Sequence, residues 1–149
     1  MSTTEKHALI GAVLESAAER LGDITRPVAD LSYTRNPEMR ALFKALDPAR
    51  PERLEGIMVE QAVYCLMYWP EAPGEVETVL LTTIPHHVET VGVSVDLFVR
   101  FFEAVCDVVA GTIPPEETAQ VQAWEDQRGE LLALMAGSTA YGSSRLASP

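Results

Sequence analysis

The sequence predicts an all-α fold, and three observations carry that prediction. Apolar residues recur every three to four positions through most of the chain, Gly or Pro separates the periodic stretches, and Ser, Asn or Pro stands where helices begin. No stretch alternates with a period of two between hairpin turns; Val91-Gly-Val-Ser-Val comes nearest and is too short and isolated to build a sheet.

Over 5–21, Leu9, Ile10, Val13, Leu14, Ala17, Ala18 and Leu21 fall on one helical face, and Gly22 stops the run. Asp23 or Thr25 caps the next helix, which tolerates Pro27 in its first turn, turns Val28, Leu31 and Ser32 inward and ends near Arg35. Asn36-Pro37-Glu38 restarts the chain with a cap, a proline that needs no amide donor and an acid at the positive helix end, giving a short helix to about Phe43. After Asp47-Pro48, helical spacing resumes at Pro51 through Leu54, Ile57, Met58, Gln61, Ala62, Cys65 and Leu66 up to Trp69. Val76, Val79, Leu80 and Ile84 mark a shorter helix over 75–84, which Pro85 is expected to halt just before His86 and His87. Ser94 caps a helix whose face is Leu97, Phe98, Phe101, Phe102, Val105, Val108 and Val109, closed by Gly111. Pro114-Pro115-Glu116-Glu117 opens the last helix, with Val121, Trp124, Leu131, Leu132 and Met135 inward and Gly137 at its end. The expected organisation is one domain over 1–137 followed by a flexible tail over 138–149.

Composition narrows the function. With 149 residues and 47% hydrophobic content the chain can bury a core without staples. Acidic residues outnumber basic ones 22 to 11, and no stretch clusters Lys and Arg, so nucleic acid and anionic membranes are poor partners. Apolar runs fall short of the ~18 residues a membrane span needs. The start of the chain carries no secretion signal, which makes the cytoplasm the expected location. Cys65 and Cys106 sit in apolar helical stretches and read as buried thiols, with no disulfide expected. Signatures of phosphate loops, zinc peptidases and α/β-hydrolases are missing from the sequence. Of the three histidines, His7 lies near the start of the first helix, while His86 and His87 point about 100° apart on a helix, so no more than one of them faces a single target.

Taken in order, Asn36-Pro-Glu-Met-Arg-Ala-Leu-Phe43, then His87-Val-Glu-Thr-Val-Gly-Val-Ser-Val-Asp-Leu-Phe98, then Ala123-Trp124 resemble the globin family, especially bacterial single-domain haemoglobins and the globin modules of flavohaemoglobins. The resemblance spans about residues 5–136 and implies a globin-like fold that holds haem b. It assigns the haem-stacking position to Phe43, the axial iron ligand to His87 over His86, and the haem border to Val93 and Phe98. By the same register, Arg53 and Ile57 fall on the distal wall, Arg53 where the family often carries His or Gln, and Ala29 falls where oxygen-handling bacterial members usually carry Tyr. The activity implied is reversible binding of oxygen, NO or CO, and the enzymatic variant, nitric oxide oxidation, requires an external reductase because the chain has no flavin domain. The resemblance leaves the oligomeric state open. The alternative expectation is a haem-free globin-fold sensor or protein-interaction module, because Pro85 removes a backbone donor two residues before the proposed ligand.

Overall fold

A computed structural model describes residues 1–86 and 94–147, with 84–86 and 138–147 described as backbone only. Among the described residues there are seven helices and no strand: α1 Thr3–Leu21, α2 Thr25–Arg35, α3 Glu38–Leu46, α4 Pro51–Tyr68, α5 Pro73–His86, α6 Val95–Ala110 and α7 Thr118–Ala147. None of them is long and apolar enough to cross a membrane.

The punctuation expected from sequence sets most of the boundaries. Ser2 accepts a hydrogen bond from the Glu5 amide at 3.1 Å and starts α1, and Gly22 ends it at φ 66°, a left-handed conformation that costs glycine little. The Asp23 carboxylate receives the Thr25 amide at 2.9 Å and its hydroxyl at 2.6 Å, fastening the turn into α2. Ser94 accepts from the Leu97 amide at 3.1 Å and caps α6, which Gly111 closes.

Four expectations are corrected. Asn36 does not cap α3 with its side chain: its Oδ1 accepts a 2.6 Å hydrogen bond from Arg100 on α6, so the residue ties two helices together. Helix α5 continues through Pro85 to His86, because a proline in the last turn forfeits one backbone hydrogen bond without undoing the turns before it. Helix α7 runs past Gly137 to Ala147, since glycine lowers helix propensity by only about 1 kcal/mol and does not stop a helix by itself. Val121 is 37% exposed, and Ala123 and Gln127 take inward positions beside Trp124 instead.

The core lies where α6 crosses α2 and α7, with α1 packed across α7 and α4. Trp124, Ile10, Val13, Val28, Leu66, Val105 and Leu131 are almost wholly buried there. Polar ties cross the same layers. Asp107 on α6 receives Arg35 of α2 at 2.6 Å and Arg128 of α7 at 2.7 Å, the Trp124 indole N–H donates to the Cys106 carbonyl at 3.1 Å, and the Gln127 amide donates to the Leu66 carbonyl. On the other side of α2, the buried Glu55 of α4 pairs with Arg26 at 3.1 Å and lies beside Tyr33. Burial, followed by that carboxylate, pushes the Tyr33 phenol well above its ordinary value.

Candidate functional site

A cleft opens between α4, α5 and α6. Met58, Ala62 and Cys65 form its α4 wall, Val79 and Leu80 its α5 wall, and Phe98, Phe101 and Phe102 its floor, with Gln61 and Thr83 the polar members. The α4 contribution follows from helical spacing, since 58, 61, 62 and 65 recur at three and four residues and share one face. Helix α5 reaches the cleft with its exposed edge: Val76 and Leu80 are buried, whereas Val79 is 40% exposed.

Of the residues expected at the site, Phe98 lines this cleft. Phe43 stands one ring behind it, 3% exposed, edge-on to Phe101 at 5.8 Å and to Tyr33 at 5.9 Å. That placement suits a rigid aromatic floor, because edge-to-face contacts hold the Phe101 ring at a set angle. Arg53 and Ile57 are not brought to it. Both line a different groove, between α1 and α4, and Ile57 is 40% exposed. One position along a helix is a rotation of about 100°, so the stripe that faces α5 is Met58-Gln61-Cys65, and the stripe carrying Arg53 and Ile57 faces α1. Ala29 is fully buried in α2. His87 and Val93 lie outside the described residues, and His86 is described only as backbone in the last turn of α5, one turn after Thr83.

Sequence reasoning missed Met58, Gln61 and Cys65 as cleft residues. Their shared stripe was visible in the spacing; what the spacing did not say was which neighbour that stripe would meet.

Electrostatically the cleft is almost neutral. Burial pushes the Cys65 thiol up to about 11, so at neutral pH it is a protonated, weakly polar wall group and not a nucleophile. The Gln61 amide is the side chain there with strong donors and an acceptor.

The lining is mostly apolar, the chemistry that the pocket of a flat prosthetic group such as haem would need. The internal space is about 40 Å³, room for roughly three waters or one diatomic molecule. A macrocycle therefore enters only if α5, which leans chiefly on α7, moves away from α4. Comparison of the chain with protein-family models, with curated proteins and with solved structures finds no match.

Proposed function

We propose that the chain is a cytoplasmic, globin-like haem protein that binds oxygen or another diatomic gas reversibly, with His87 as the axial ligand. The observation that carries this reading is the apolar cleft between α4, α5 and α6, whose α5 wall ends at Thr83, one turn before His86 and the adjoining His87. Among the described residues, seven helices with α6 packed on α2 and α7 agree with the pairwise helix packing that the globin resemblance implies.

When bound, haem would supply an iron able to bind oxygen, NO or CO reversibly. The chain's own residues do the rest. Met58, Cys65, Leu80 and Phe101 exclude water, Phe98 and Phe101 offer ring faces, and Gln61 takes the hydrogen-bonding role on the distal wall. Electrons for any turnover come from an external reductase.

The test is a haemin titration of the purified protein, followed by dithionite and carbon monoxide. One saturable Soret transition that shifts with carbon monoxide is expected. His87→Ala is expected to weaken haem binding about a hundredfold, equivalent to ~2.7 kcal/mol, while His86→Ala leaves it unchanged. Equal losses in both variants would remove the ligand assignment.

A second reading is favoured by one observation, the cleft's volume of about 40 Å³. A cleft that stays closed makes the chain a haem-free helical interaction module, and a titration indistinguishable from free haemin selects that reading.

A further inference from the structure

Among the described residues a large groove runs between α1 and α4, with a volume of about 960 Å³. It follows α4 from Arg53 to Tyr68, about 22 Å at the helical rise, and continues to Glu71 in the turn beyond. Leu14, Ile57, Val63 and Met67 supply an apolar floor, with Ile57 and Met67 still 40% and 36% exposed.

Two glycines deepen it. Gly11 and Gly56 lie inside α1 and α4, where glycine costs about 1 kcal/mol relative to alanine. Neither has the positive φ that would require glycine, and a Cβ on either would meet no atom within 4 Å. What the missing side chains preserve is open space above the floor.

The rim is acidic. Glu71 is engaged by His7 at 3.6 Å and Asp23 by Thr25, but Glu15 on the α1 wall and Glu60 on the α4 wall have no counter-ion among the described residues. The whole chain carries −11. A second copy would bring the same acids and the same net charge to the groove, which disfavours it as the occupant.

We infer that the α1–α4 groove docks an amphipathic helix with basic flanks, contributed by a protein partner: its apolar stripe enters above Gly11 and Gly56, and its Lys or Arg side chains meet Glu15 and Glu60. A helix with side chains is about 10–12 Å across, and an apolar helix face laid into a groove of this shape is a recurring mode of peptide recognition. The inference does not depend on haem, because Met58 and Cys65 of the cleft lie on the opposite face of α4.

The test uses the full chain and a synthetic 18-residue peptide with leucines at helical spacing and lysines elsewhere, with binding read by fluorescence anisotropy. The wild type is expected to bind it. Gly11→Leu and Gly56→Leu fill the groove into open space and raise helix propensity, so both variants remain folded by circular dichroism and bind at least about tenfold more weakly. The Glu15→Lys, Glu60→Lys double variant is expected to lose binding as well, and the peptide with Glu in place of Lys is not expected to bind the wild type. Equal affinity for the groove-filled variants would reduce the binding to net-charge attraction and overturn the inference. So would no binding to the wild type, or a wild-type dimer in sedimentation equilibrium that the groove-filled variants dissociate, which would make a second copy the occupant.

Discussion

Where α6 meets α7, Trp124 is wholly buried, its indole N–H is bonded to the Cys106 carbonyl, and Asp107 clasps arginines from two other helices. Where α4 meets α5, the facing side chains are just as apolar, and Val79 at the cleft's edge remains 40% exposed. Apolar contact is non-directional, whereas a hydrogen bond from a buried donor specifies one arrangement and penalises the others. The first seam is therefore held in a single register, whereas α5 leans chiefly on α7 and only lightly on α4, which makes the second seam the place where the fold can part.

The sharpest way to break this comparison is Trp124→Ala. Removing a fully buried indole leaves a cavity and takes away the hydrogen bond to the Cys106 carbonyl, and a loss of about 3–5 kcal/mol is expected in chemical denaturation. A loss below about 1 kcal/mol would mean that the α6–α7 seam is no tighter than its counterpart.

The two cysteines report on the two regions in one experiment. Burial pushes Cys65 up to about 11 and Cys106 up to about 12, so neither thiol reacts in the closed state at neutral pH. Cys65 lines the cleft and becomes accessible when α5 lifts, whereas Cys106 is fully buried and awaits global unfolding. Alkylation under native conditions is expected to be roughly a hundredfold faster at Cys65, equivalent to ~2.7 kcal/mol between the two openings. Equal rates would mean that the seams open together.

Asp107 sharpens the comparison through pH. Burial alone raises its carboxyl, but hydrogen bonds and charge from Arg35 and Arg128 outweigh that and hold it below the ordinary 3.8. A carboxylate whose folded value lies below its unfolded value contributes stability above about pH 4 and loses it as pH falls through the folded value. Asp107→Asn is expected to cost about 1–2 kcal/mol at neutral pH, and its stability should fall less steeply than wild type below about pH 4. Parallel acid profiles would show that the clasp contributes nothing.

The smallest effect is expected at Val79→Ala on the α5 edge, within about 0.5 kcal/mol, because a side chain 40% exposed has already left much of its surface in water. A larger cost would mean that the cleft is packed more tightly at its mouth than its exposure indicates.

Much of this fold was legible in sequence because helix signals are local. The three-and-four spacing of Ile10, Val13 and Ala17, the stop at Gly22, the Ser94 cap and the Phe98-Phe101-Phe102-Val105 face act within a few residues of chain, and each element stands where those signals put it. Asn36 shows the limit: its local reading as a cap was sound, but a guanidinium 64 residues away competes for the same oxygen. Gly137 and Pro85 show it again, since a weak breaker acts only where neighbouring turns do not already hold the helix.

The all-α class, the order of the helices, most of their ends and much of the stripe each one buries are legible in the sequence alone, because 3.6-residue periodicity is a property of one segment. Only the tertiary structure decided that Arg53 and Ile57 face α1 while Met58, Gln61 and Cys65 face α5, that the cleft encloses about 40 Å³, and that the α1–α4 groove stays open over its glycines. A helix with apolar residues on more than one side can be rotated to suit several neighbours, and the angle is chosen by the sum of contacts with α1, α5, α6 and α7. That sum is not written in any one stretch of the chain.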